Sequence, residues 1–192
     1  MDFTDTLTDD HVAMIARQSV YFVATAAADA RINLSPKGLA DTFRVLAPNR
    51  VAYLDLGGSG NETHAHLAAD GRITLMMCNF EQPALILRIY GHGRPVLPMD
   101  PDWAELAAQF TLLPGTRQIF DIVVESVQAS CGWGVPVMHL DKERETLTKY
   151  HAQSDPAKWE AKMAGRTSSI DGLPTRATDR YIAGEPGAAP GA

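Results

Sequence analysis

The chain has 192 residues, 45% of them apolar, and carries 23 acidic against 17 basic side chains for a net charge of −6. That length suits one domain with an appended arm, and the apolar share is enough for a core. The negative charge argues against a nucleic-acid groove, no apolar run is long enough to span a bilayer, and two cysteines behind an acidic N-terminus with no visible signal peptide point to a reducing cytoplasm.

Thr8 is placed to cap a first helix, with Asp9 and Asp10 at the positive end of its dipole and Val12, Ile15 and Ser19 at helical spacing. From Val20 to Ala27 the chain turns compact, apolar and β-branched. Asp29-Ala30 then reads as a turn and Ile32 to Ser35 as the returning strand of a hairpin. Thr42 to Leu46 and Val51 to Leu56 are two further strands, joined by the turn residues Ala47-Pro48-Asn49-Arg50.

Glycines and Ser59 then lead into a short helix from Glu62 to Ala69. Arg72 to Phe80 is a strand ended by Glu81-Gln82-Pro83, and Leu85 to Val96 is a long one in which Gly91 and Gly93 allow a bulge. A helix is expected from Asp100-Pro101 through Phe110, with the proline in its first turn. In the final strand, Gln118 to Ala129, alternation puts Ile119, Val123 and Val127 on one face and Ile122 and Val124 on the other. Helical segments at Lys142 to Ala152 and Ala157 to Ala164 meet at Pro156. The tail from Arg166 is rich in Gly, Pro, Ala, Ser and Thr, and disorder is expected from Gly184 onward. Consecutive strands with few helices between them favour a mainly β fold, an antiparallel barrel plugged by small helices, over a Rossmann alternation. The expected division is a barrel domain over 1–140, a helical extension over 141–165 and an arm over 166–192.

Three segments carry candidate chemistry. Gly57-Gly58-Ser59-Gly60-Asn61-Glu62-Thr63 opens a helix, so it reads either as an anion site or as a plain strand-to-helix turn; it lacks the spacing of a Walker loop or a dinucleotide fingerprint. Ser35-Pro36-Lys37-Gly38 ends a strand and offers a hydroxyl, a cation and room for a ligand, or is an exposed turn. Trp133, between Gly132 and Gly134, is either a ring able to cover a planar ligand or one buried at the barrel end. His64 and His66 diverge on a helix and no H-E-x-x-H is present, so no metal site is expected; Cys131 has no visible neighbour that would activate it as a nucleophile.

Phe22 to Ala26, Ile32 to Gly38, Phe43 to Leu46, Val51 to Asp55, Gly58 to Thr63 and Leu87 to Gly91 stand in an order that resembles the pyridoxamine 5'-phosphate oxidase-like FMN-binding split barrels. The resemblance covers about residues 10 to 140, and Ser130 to Pro136 and Ser169 to Pro174 look like a subgroup. It implies a six-stranded antiparallel split β-barrel, a homodimer with FMN at the subunit interface, and flavin-dependent oxidoreductase activity on a small molecule. It places the flavin phosphate at Ser35, Pro36, Lys37 and Gly38 and at Asn61, Glu62 and Thr63, and Leu54 and Asp55 along the ribityl chain or ring. The resemblance implies a lesser contact from Arg88, reaching across from the other subunit, and Trp133 between its two glycines is expected to pack near the isoalloxazine. Asn-Glu-Thr stands where basic residues would help hold a dianion, so Lys37 and Arg44 are expected to supply charge. The C-terminal arginine- and histidine-bearing segment that holds a pyridoxal ring is missing, so pyridoxal phosphate synthesis is not expected. A deazaflavin-dependent reductase and a non-catalytic flavin- or haem-binding module are the alternatives.

Overall fold

The computed structural model describes residues 2–175; the disorder expected from Gly184 lies outside them. Eight antiparallel strands form one sheet: β1 (Asp2–Thr4), β2 (Tyr21–Thr25), β3 (Asn33–Lys37), β4 (Phe43–Ala47), β5 (Arg50–Leu56), β6 (Arg72–Cys78), β7 (Leu85–Val96) and β8 (Thr116–Cys131). Among the described residues five helices accompany them: α1 (Asp9–Ile15), α2 (Glu62–Ala69), α3 (Trp103–Ala107), α4 (Thr146–Gln153) and α5 (Pro156–Ala164). The strand order is β3-β2-β6-β7-β8-β5-β4, with β1 pairing the far end of β8. The edge strands β3 and β4 do not pair with each other, so the barrel is split along that seam. The strands outnumber the six that the family resemblance implies: β1 lies off the main path, and the path itself counts both edges.

Alternation decides which side chains fill the barrel. In β2, Tyr21, Val23 and Thr25 are buried while Phe22 and Ala24 are half-buried. Tyr21 meets Phe43 of β4 at 5.2 Å and Tyr53 of β5 at 5.9 Å, and Tyr53 packs on Phe120 at 4.9 Å. Aromatic contacts therefore span the interior from β2 to the strands beyond the seam. Met14 and Ile15 of α1 join this core near one end, and Leu67 of α2 joins it from another side. Each such burial stabilises by roughly 1.5–3 kcal/mol.

The long strand β8 corrects one expectation. The β7–β8 register shifts between Tyr90 and Gly91, where Glu125 has no partner between Val124 and Ser126. A bulge of this kind reverses the alternation beyond it. Val127 therefore joins Ile122 and Val124 in the interior, while Val123 is 54% exposed. Gly91 is required here, since a Cβ would stand 2.1 Å from the Val123 carbonyl oxygen. Ile119 does face outward, but it is covered within the chain: Trp103 and Leu106 of α3 with Phe110 seal it against Ala52, Leu54 and Val96. Apolar character on both faces of β8 is thus explained without a second subunit.

α2 keeps its expected span and α5 starts one residue early, but α3 and α4 begin later than their patterns suggest. Pro101 falls in the turn before α3, and Lys142 to Glu145 are irregular ahead of α4. Among the described residues no helix is long and apolar enough to cross a membrane.

Candidate functional site

A cleft of about 480 Å³ lies on the split seam. The barrel contributes Ser19, Val20 and Tyr21 at the start of β2, Pro36 to Leu39 and Thr42 around the end of β3, and Leu54, Asp55 and Leu56 of β5. Such a volume is typical of small-molecule sites, roughly 300–1,000 Å³. The β3–β4 connection is tightly wound, with Leu39 and Asp41 both at positive φ (71° and 64°). Thr42 Oγ1 donates to the carbonyls of Gly38 and Leu39, at 3.1 and 2.9 Å, and holds that turn against the cleft.

Beneath the cleft lies a buried polar network. Asp55 is 2% exposed. Lys37 Nζ donates to its Oδ1 at 3.1 Å, and Arg117 Nε and Gln118 Nε2 donate to its Oδ2 at 2.6 and 2.7 Å. Gln118 also donates to Asn61 Oδ1 at 2.8 Å and accepts from His64 Nδ1 at 2.7 Å, which fixes the proton of that imidazole on Nδ1. Burial alone would raise the Asp55 carboxyl, but the Arg117 and Lys37 cations and the hydrogen bonds from Gln118 and Arg117 outweigh it and hold the group well below the usual carboxylate range. Two cations against one carboxylate leave one positive charge. It reaches the cleft through Lys37, whose side chain is 24% exposed. The Lys37–Asp55 pair also ties β3 to β5 across the split.

A second polar cluster joins β2 and β3 to α2. Asn33 Nδ2 donates to Thr25 Oγ1 and Thr63 Oγ1 at 3.2 and 3.1 Å, and Thr25 Oγ1 lies 3.0 Å from His66 Nδ1. Tyr21 Oη is buried beside Thr42. Burial pushes its phenol far above the ordinary range, so it keeps its proton next to the cleft.

Of the residues singled out in the sequence, Pro36, Lys37, Gly38, Leu54, Asp55 and Gly58 line the cleft. The others do not. Ser35 is half-buried one step along β3. Asn61 is engaged by Gln118 and Thr63 by Asn33, and Glu62 accepts from Ile170 N at 3.1 Å. Arg88 Nη1 donates to Ser130 Oγ at 3.2 Å on the outer face of β7 and β8. Trp133 is 87% exposed, so the reading as a buried barrel-end ring is excluded. Arg44 does not line the cleft: it pairs with Asp41 at 3.6 Å, donates to the carbonyls of Phe43 and Gln109, and stacks on Phe110.

Within the glycine cluster, Gly57 is a docking notch, whereas Gly58 lines the cleft. A Cβ on Gly57 would stand 2.0 Å from the Trp159 indole, and one on Gly115 would stand 2.2 Å from the His151 ring. The two glycines are joined by Gly57 N donating to Gly115 O at 2.7 Å, and His151 Nε2 donates to Gly57 O at 2.8 Å. Arg166 Nη1 donates to Gly58 O and Ser59 O at 2.8 and 2.6 Å, and Asp171 pairs with Arg31. The extension after the barrel is thus packed over the loop that resembled an anion site. The legible signal was a tryptophan and a histidine in an otherwise polar helical pair; what was missing was where they dock.

A family model described as pyridoxamine 5'-phosphate oxidase matches residues 7–131. The chain belongs to that family. The pyridoxamine 5'-phosphate oxidase family protein ustO of Aspergillus flavus is 39% identical over 148 residues, which are 75% of this chain and 59% of the relative. The chain therefore spans about three-fifths of that relative's length. Among solved structures, HupZ of Group A Streptococcus is similar at a TM-score of 0.51 with 18% identity, covering 69% of this chain and 99% of its own. A variant of the same protein gives a TM-score of 0.52 with 20% identity, covering 64% and 98%. At that identity the likeness is one of fold.

Proposed function

We propose that this member of the pyridoxamine 5'-phosphate oxidase family binds FMN in the seam cleft and acts as a flavin-dependent oxidoreductase on a small molecule. The observation that carries the reading is the cleft itself: the strand-end residues Pro36, Lys37 and Gly38 meet Leu54 and Asp55 there, with apolar walls on one side and a net cation on the other. A flat ring and a phosphate ask for that combination. Bound flavin would supply the hydride chemistry; the protein supplies orientation and electrostatics. Val20, Tyr21, Leu39, Leu54 and Leu56 form the apolar part, which excludes water, and Lys37 offers its charge to an anion. Asp55 acts one step back: both of its oxygens are taken, so it positions Lys37 instead of touching a ligand. Tyr21 presents a neutral hydroxyl and no base.

The proposal includes a homodimer. On the outer face of the sheet, Phe22, Met76, Arg88, Gln128 and Phe3 stand in one row across β2, β6, β7, β8 and β1, and Phe3 is 61% exposed. No helix of the described residues covers that row as α3 covers Ile119. Light scattering that gave a monomer mass at micromolar concentration would remove this part.

The test is the absorption spectrum of the purified protein, with mass analysis of what denaturation releases. A flavin spectrum and a released mass of FMN support the reading. A deazaflavin or haem in their place overturns it in favour of the alternatives.

A further inference from the structure

The cleft has two walls, and only one lies within the region that defines the family. Lys142, Glu143, Arg144, Thr146 and Leu147 line the opposite side, beyond residue 131 where the family match ends. This stretch is pinned at both ends. Met138 N donates to Phe80 O at 2.9 Å on one side, and α4 and α5 are fastened to Gly57 by His151 and Trp159 on the other. Lys142 and Arg144 are exposed and have no ion-pair partner among the described residues.

The usual seat for a phosphate, the start of α2, is already acidic, although Gly58 in the loop before it lines the cleft. Glu62 already places a carboxylate there and accepts from Ile170, while Arg166 covers the preceding carbonyls. On the barrel wall, Asp55 partly neutralises Lys37, and the single remaining charge is too little for a phosphate monoester carrying roughly −1.5 to −2 at neutral pH. Lys142 and Arg144 add two cations and Glu143 removes one, so the lining as a whole stays positive.

Building on the seam cleft as the ligand site, we propose that Lys142 and Arg144 form a phosphate clamp facing Lys37, so that barrel and extension share one phosphate monoester. That ester belongs either to the cofactor or to a phosphorylated substrate. The clamp makes the extension part of the binding site, not only a cover for the glycine notch.

The experiment compares the full chain with its Lys142→Gln/Arg144→Gln variant, whose exposed changes leave circular dichroism and Tm unaltered. FMN and riboflavin are titrated into cofactor-free protein, and inorganic phosphate into FMN-loaded protein. A loss of FMN affinity of at least about tenfold with riboflavin unaffected assigns the clamp to the cofactor. Unchanged flavin binding, with phosphate binding to the loaded protein lost in the variant, assigns it to a substrate. If FMN binds both proteins alike and phosphate does not distinguish them, the clamp is overturned and the flavin reading stands. If the unaltered chain binds no flavin, that reading falls. Phosphate titrated into the cofactor-free proteins then decides the clamp: loss in the variant supports it, and equal or absent binding overturns it.

Discussion

On the barrel side of the cleft the buried Asp55 carboxylate is answered by two cations and an amide; on the extension side Lys142 and Arg144 stand in water with no partner among the described residues. Burying an ion costs several kcal/mol, so a buried charge persists only where others hold it. An exposed cation costs folding almost nothing and is left free for a ligand. One wall therefore maintains the architecture, and the other is available for recognition.

The largest test of this contrast is Asp55→Ala. Removing the carboxylate leaves Arg117, with only 7% of its side chain exposed, beside Lys37 without an anion. A stability loss of about 3–5 kcal/mol is expected in urea unfolding. A loss below ~1 kcal/mol would mean that water already screens the network. Lys37→Ala comes next: FMN affinity should fall about ten- to a hundredfold, on the order of 1.5–3 kcal/mol, with riboflavin much less affected. Equal losses for both ligands would show that Lys37 serves Asp55 and not a phosphate.

Acid should separate the two regions. Burial lowers the His151 imidazole below its usual value, with the Gly57 carbonyl opposing more weakly. The unfolded extension therefore takes up the proton first, and its docking weakens as pH falls below about 6.5. Asp55 titrates lower folded than unfolded, so its contribution is whole above about pH 4 and is lost only below it. Trp159, whose ring lies 4.6 Å from His151, reports the first step by fluorescence while far-ultraviolet circular dichroism still reads an intact barrel. One coincident transition would contradict the separation. The smallest effect belongs to Trp133→Ala, expected within ~0.5 kcal/mol in stability because the ring is 87% exposed. Its interest is spectroscopic: FMN should quench Trp133, and a Trp133→Ala variant with unchanged quenching would place that ring away from the flavin.

The seven longer strands and the span of α2 were legible because alternation and a clean turn before Glu62 are local signals. The three-residue β1 was not, since Asp2–Thr4 is a strand only by virtue of β8. The reversal at Glu125 was half visible: Gly91 announced a bulge, but its effect on Val127 depends on which residue of the partner strand is left unpaired. For the site, Lys37 and Asp55 were both singled out, yet their pairing is a contact between strands distant in sequence. Arg117 and Gln118 sit in an apolar strand where pattern alone marks them as anomalies without naming a partner. Gly57 was noticed as part of an anion loop or a plain turn, and a residue that admits an indole looks the same in sequence as one that admits a phosphate.

β8 is the spine of the sheet, pairing with β7 along one side and with β5 and β1 along the other. During synthesis, β1 emerges more than a hundred residues before the segment Val127–Ala129 that receives it. At ordinary elongation rates that is a wait on the order of ten seconds. Through that interval the β2–β3 hairpin and β6 can associate, but β5 and β7 present open edges with nothing between them. Between the emergence of Val96 and that of Cys131 the nascent chain thus stands as two half-sheets awaiting a common strand. Ribosome-bound chains stalled short of Thr116 are expected to be the aggregation-prone species, and those stalled after Cys131 the first that can close.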